Sequence, residues 1–170
     1  MERHTLPTIG DIALRPATAD DDALLRRIYA STREDELAAT GWPAQRRAAF
    51  LHQQFMARQR HFRQHFPGAH NLLLERDGQP IGRLCWQWMP DELRLIDISL
   101  LPAWRGQGRG LQVVSGLQSL AARRGLAMGL HVEVGNPAIA LYERLGFVVT
   151  GHAGLHHFMH WPDPGAPVNR

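Results

Sequence analysis

The sequence predicts an α/β fold in which one mixed sheet carries helices on both faces, and three observations lead to it. Apolar residues switch between helical and strand spacing in the order strand, two helices, three antiparallel strands, helix, strand, helix, two strands. Turn residues fall at both bends between the three central strands. At 170 residues and 44% hydrophobic, the chain can bury one good core and is too short for two. A single domain over 1–170 is expected, with a polar lead at 1–10 and a Pro/Gly tail at 162–170 read as flexible.

Each element has its own signal. "DIALRPAT" reads as a first strand and "ADDDALLRRIYAS" as a helix, with Asp20 to Asp22 at its start and Leu24, Leu25, Ile28 and Tyr29 on one face. A second, longer helix begins near Pro43; Leu51, Phe55, Phe62 and Phe66 repeat at helical steps until "FPG" stops it. From Asn71 the period becomes that of strands: "NLLLER", "IGRLCWQWM" and "LRLIDISLL", bent at "DGQP" and "PDE". A helix from about Gly108 to Arg124, the strand "AMGLHVEV" and a short helix "NPAIALYERLG" come next. Asn136 can cap that helix, with proline in its first turn and glycine at its end. The strands "FVVTGH" and "LHHFMHW" close the order.

Composition excludes several classes. No apolar run approaches the roughly 20 residues of a membrane span, and "MERHTLPTIGD" lacks a continuous apolar signal core, so a cytoplasmic protein without a membrane partner is expected. The lone cysteine, Cys85, reads as a small buried strand residue. The pI of 9.9 overstates the field: net charge is only +3, and every basic residue is arginine. That charge is too small for a nucleic-acid surface. It is unevenly spread, because no acid lies between Glu36 and Glu75 while Arg46, Arg47, Arg58, Arg60 and Arg63 all fall there. This basic helix, 43–66, reads either as a solvated amphipathic face or as a recruiter of carboxylate or phosphate. Without any lysine, the protein offers no side-chain amine for self-acylation.

The chemistry-bearing stretch is "LLPAWRGQGRG", a loop between a strand and a helix. Glycines let a backbone approach a ligand closely, and a helix start favours an anion. "RGQGRG" lacks the ending of a nucleotide-triphosphate loop and follows the fourth strand of the order, not the first. Together, "ISLLPAWRGQGRG" and "VEVGNPAIALYERLGF" resemble the two signature motifs of the GNAT superfamily of acetyl-CoA-dependent N-acetyltransferases. Arg105, Gly108 and Gly110 match the family's pyrophosphate loop; the asparagine, the "ALYE" helix and the "GF" strand start match the second motif.

The resemblance, spanning roughly Ile12 to Trp161, implies a mostly antiparallel sheet of six to seven strands splayed between strands 4 and 5. It implies that acetyl-CoA is the cosubstrate; no metal is expected. In its terms Arg105, Gly106, Gln107, Gly108, Arg109 and Gly110 hold the pyrophosphate. Leu100 and Leu101 flank the pantetheine arm, the Leu100 N–H polarises the thioester carbonyl, and Asn136 binds a pantetheine amide. Tyr142, near the sulfur, protonates the departing thiolate. The acceptor is a primary amine that attacks directly in a ternary complex. Glu133 resembles the base of peptide-acetylating members, with Asp97, His131 and water as alternatives. Glu133 lies nearer the asparagine than in their pattern, and the step from Asn136 to Tyr142 is one residue short. An inactive coenzyme-A-binding sensor or partner module is the competing reading. Homodimers are common in the family, and an acidic acceptor would suit the basic helix. Trp42, Trp86 and Trp88 are candidates for the groove. The i, i+4 pair His61 and His65 lacks a carboxylate, which argues against a metal.

Overall fold

The structure, a computed structural model describing residues 7–162, contains eight strands and four helices in the expected order. They are β1 (Thr8–Ile9), β2 (Ile12–Pro16), α1 (Asp22–Ala38), α2 (Ala44–His65), β3 (His70–Arg76), β4 (Gln79–Trp88) and β5 (Glu92–Leu100), then α3 (Arg109–Arg123), β6 (Ala127–Glu133), α4 (Ala138–Arg144), β7 (Val148–Ala153) and β8 (His156–Trp161). The sheet is open and mixed, with strand order β1-β2-β3-β4-β5-β6-β8-β7. Two differences from the sequence reading stand out. Thr8 and Ile9, placed in the flexible lead, form a strand paired with Ala13 and Ile12, which adds an edge to the six or seven strands expected. Helix α1 also runs a further two turns past Ser31, because Leu37 is buried at helical spacing from Leu25 and Ile28. The remainder of the lead (1–6) and the tail beyond 162 lie outside the described residues.

The chain divides into two compact units. The first runs to Cys85 and takes in Ile98–Arg105. Its core is where Leu25, Ile28 and Tyr29 of α1 meet Phe55 of α2 and Leu73 of β3. At the edge of this unit Arg15 of β2 binds both Asp21, ahead of α1, and Glu75 of β3, each at 2.8 Å. The guanidinium and the Thr18 N–H together hold the Asp21 carboxyl down at about 2. The β3–β4 bend is the Asp-Gly turn the sequence suggested, with φ of 50° at Asp77 and 76° at Gly78.

The second unit comprises Trp86–Asp97 and the chain from Gly106 onward. Val113, Val114, Leu117 and Ala121 of α3 are buried, as are Leu93, Leu95, Met128, Leu130 and Met159 on the strands. Gln118 of α3 donates to the Leu145 carbonyl at the end of α4 (2.9 Å), tying the two helices together. Glu92, buried, binds Arg94 and His160 (3.1 Å) and lies directly over Gly129. A buried carboxylate needs such partners, and a side chain at 129 would displace it. Trp86 is buried and meets Trp88 edge-on (5.2 Å), while Arg124 stacks over Trp88 (4.0 Å). Trp86 is thus a packing residue of this unit, while Trp88 keeps part of its surface exposed.

In the first unit, Gly82 of β4 approaches β5 so closely that a Cβ would sit 2.3 Å from the Ser99 carbonyl oxygen. Backbone cannot yield as a flexible side chain can, so Gly82→Ala is expected to destabilise by about 1–3 kcal/mol in urea unfolding. An unchanged midpoint would show that the strands are not this close.

Candidate active site

The loop from Leu101 to α3 is shaped by its glycines. A single 3-10 turn, Pro102–Trp104, is followed by Arg105 in extended conformation. Gly106 and Gly108 then take φ of 69° and 75°, the left-handed region that other residues enter at a cost of roughly 1–2 kcal/mol. A Cβ at either would meet no protein atom within 4 Å, so the backbone faces open space. Gly110 is different: its Cβ would come 3.1 Å from Leu141 of α4, so helix packing requires it to be small. Helix α3 begins at Arg109 with no acidic residue in its first turn. Its opening N–H groups therefore present positive potential that no nearby carboxylate of that turn cancels. These features fit a bound anion such as a pyrophosphate.

Arg105 does something the sequence did not suggest. Its Nε donates to the Leu100 carbonyl (2.8 Å), and its Nη2 to the carbonyl and hydroxyl of Ser31 on α1 (3.2 Å each). The guanidinium thus braces the loop against the strand end and the helix. Leu101 donates its own N–H to Ile81 of β4 (2.9 Å). In the second unit the parallel ladder of β5 with β6 covers only Glu92–Leu95 and Ala127–Leu130. Ile96 and Asp97 on one strand and His131 to Glu133 on the other have parted, as the predicted splay requires.

Tyr142, on α4, is only 7% exposed and lies against Phe147 (5.8 Å between ring centres). Its hydroxyl makes no hydrogen bond to the described residues and is not sealed from solvent. Burial pushes the phenol well above its ordinary value of about 10, and the negative charge of Asp97 adds to the shift. The group is protonated throughout the neutral range. Asn136 is exposed, and its Oδ1 caps α4 by accepting from the Ala138 N–H (2.9 Å). The amide NH2 of its side chain is left for other work. Glu133 is exposed at the end of β6, in register with His156 of β8. His131, on the same strand, stacks on Phe158 (4.2 Å), and its Nε2 lies 3.3 Å from an Arg94 nitrogen. Arginine only donates, so that Nε2 accepts. Burial and the Arg94 charge both lower the His131 pKa. In this arrangement the Nε2 lone pair of His131 is engaged by Arg94.

The first unit also holds a cleft of about 700 Å³, which the motifs did not announce. Ala30, Leu37, Ala48, Leu51 and Leu101 give it apolar walls, and Arg27, Glu34 and Arg47 bring charge. Of the five arginines singled out in the basic helix, Arg47 alone lines it. Arg46 stacks on Trp42 (4.1 Å), and Arg58 lies over the rings of Tyr29 and Phe62 (5.4 and 5.0 Å). The signal for the α1 wall was present: Arg27, Ala30, Ser31, Glu34 and Leu37 recur at helical steps beside the core stripe. Among the described residues no cluster of His, Cys, Asp or Glu could hold a metal, and no helix is long and apolar enough to cross a membrane.

The buried phenol has a measurable consequence. Above about pH 10 the unfolded chain loses the Tyr142 proton while the folded chain keeps it, so stability contributed by the group is full below that pH and falls as pH rises. The unfolding free energy of the wild type should drop relative to Tyr142→Phe above pH 10, by up to about 1.4 kcal/mol per pH unit. Parallel curves would contradict the burial of this group.

Comparison with known proteins bears on these features. Residues 25–147 match the model of the acetyltransferase (GNAT) family, a span that runs through both units. Over 83 residues, 46% of the chain, it is 39% identical to a mycothiol acetyltransferase of Corynebacterium glutamicum. That match covers 28% of the relative's length. Among solved structures it resembles the PaiA N-acetyltransferase of Thermoplasma acidophilum in complex with coenzyme A (TM-score 0.65, 16% identity, 88% of this chain and 97% of that one). An acetyltransferase of Thermus thermophilus is similar too (TM-score 0.62, 20% identity, 88% and 95%).

Proposed function

Since the chain belongs to the GNAT acetyltransferase family, we propose that it transfers the acetyl group of acetyl-CoA to a primary amine by direct attack in a ternary complex. One observation carries most weight: Tyr142 has a buried ring whose protonated hydroxyl makes no hydrogen bond to the described residues and stays open to a ligand.

In this reading, the two units act as one catalytic domain. The backbone amides of Gly106 to Gly110, with Gln107 and Arg109 between the glycines and Arg105 at the entrance, hold the coenzyme A pyrophosphate. The open space at Gly106 and Gly108 supports that role. Arg105 contributes by fixing the loop, since its side chain is engaged with Leu100 and Ser31. Leu100 and Leu101 flank the pantetheine arm where β5 has left its ladder with β6, and the Leu100 N–H polarises the thioester carbonyl. Asn136 donates its side-chain amide to the pantetheine while its oxygen caps α4.

The amine must arrive neutral, and the exposed carboxylate of Glu133 is the proposed acceptor of its proton, directly or through water. Attack builds negative charge first on the carbonyl oxygen and then on sulfur. A thiol of ordinary pKa, about 8.5, leaves readily as thiolate. Tyr142 meets that charge as a hydrogen-bond donor. Its raised pKa keeps the proton on the phenol throughout the neutral range, so the donor is present when the charge develops.

Two measurements test this. Calorimetry should detect coenzyme A binding that Gly108→Trp abolishes; no binding by the wild type, or binding indifferent to the substitution, would remove the loop assignment. Tyr142→Phe should lower turnover in a thiol-release assay by about 10²–10⁴-fold, the usual span for a lost general acid, with acetyl-CoA affinity nearly unchanged. Equal turnover would rule out Tyr142 as the acid.

A further inference from the structure

The geometry of the first unit points to the class of acceptor: we propose that the cleft between α1 and α2 takes an apolar amine bearing a single carboxylate, of the hydrophobic amino-acid type. This rests on the acetyl-transfer reading above and adds the chemistry of the amine. Three observations carry it.

The first is how the arginines of this unit are committed. Arg26 pairs with Asp22 (3.0 Å), Arg33 with Glu36 (3.1 Å), Arg15 with Asp21 and Glu75, and Arg76 with Asp11 (3.0 Å). Among the described residues Arg27 and Arg47 make no ion pair or side-chain hydrogen bond, as is true also of Arg60 and Arg63, but of these only Arg27 and Arg47 line the cleft. Arg47 is also partly buried in the cleft wall. Two such guanidinium groups on facing helices suit an anion.

Glu34 lies on the same cleft wall, which leaves a net charge of one positive unit. A dianionic phosphate ester would be repelled by Glu34, and a polyamine by the two arginines. A monocarboxylate with one amine matches both signs. Finally, the remaining walls are mainly apolar, and about 700 Å³ is within the usual range for a small-molecule site and accommodates a branched or aromatic side chain. Leu101 and Pro102, which continue from the strand end assigned to the thioester, form part of the lining, so an occupant would sit beside it.

The test is a thiol-release assay with acetyl-CoA and four acceptors: phenylalanine, phenylalaninamide, phosphoethanolamine and spermidine. Phenylalanine should exceed phenylalaninamide in kcat/KM by at least about tenfold, the scale of a charge-assisted hydrogen bond. The advantage should vanish in Arg27→Gln/Arg47→Gln, mainly through KM, while coenzyme A affinity stays at the wild-type value and reports an intact fold. Equal use of acid and amide, preference for phosphoethanolamine or spermidine, or an advantage that survives the double substitution would overturn the proposal. If coenzyme A binds and no amine is acetylated, the transfer reading fails separately. Calorimetry of phenylalanine against phenylalaninamide on the coenzyme-A-loaded protein then decides the cleft, and absence of an acid preference overturns it.

Discussion

The hydrogen bonds that β5 and β6 stop making are the constraint from which the candidate site follows. A parallel ladder holds Glu92–Leu95 to Ala127–Leu130, and beyond it each strand carries peptide groups that must find other partners. On its other edge β6 stays paired with β8 through Glu133. Just past the end of β5, on its other edge, Leu101 donates to Ile81 of β4, and Arg105 takes the Leu100 carbonyl. The glycine loop then follows at once along the chain, so the peptide edge and the anion cradle belong to consecutive residues.

Much of this was legible in the sequence because it depends on local rules. Period changes gave every element from β2 onward, and the Asp77–Gly78 bend needed no tertiary information. Gly106 and Gly108 were readable for the same reason: left-handed backbone selects glycine whatever surrounds it. What escaped was decided by distant neighbours. Thr8 and Ile9 are too few to show a period, and become a strand only because β2 lies beside them. Gly82 and Gly129 sit within strands as ordinary apolar positions, yet one is fixed by the Ser99 carbonyl and the other by the Glu92 carboxylate. The second face of α1 was hidden because a cleft needs two helices, and the sequence shows one at a time.

Charge tells a similar story. A run of arginines without acids looked like one basic surface, but the structure divides the set by what each side chain touches. Arg46 and Arg58 lie on aromatic rings, where the flat guanidinium is a packing element as much as a charge. Arg27, outside the run, joins Arg47 at the cleft. Composition counted cations; neighbours decide which of them still exert a field on a ligand.

The Arg105 brace has an electronic side. Its guanidinium pulls density from the Leu100 carbonyl, and that carbonyl shares its peptide unit with the Leu101 N–H, which donates to Ile81. Hydrogen bonds in series polarise one another, so the cation strengthens the strand bond on the far side of the same peptide. A charge planted in a flexible loop is thereby felt as stiffness in the sheet, from Arg105 through β5 into β4. Because arginine keeps its proton at any physiological pH, this tension on the strand end is constant. The place where an acyl group would rest does not soften as the titration state of the surroundings changes.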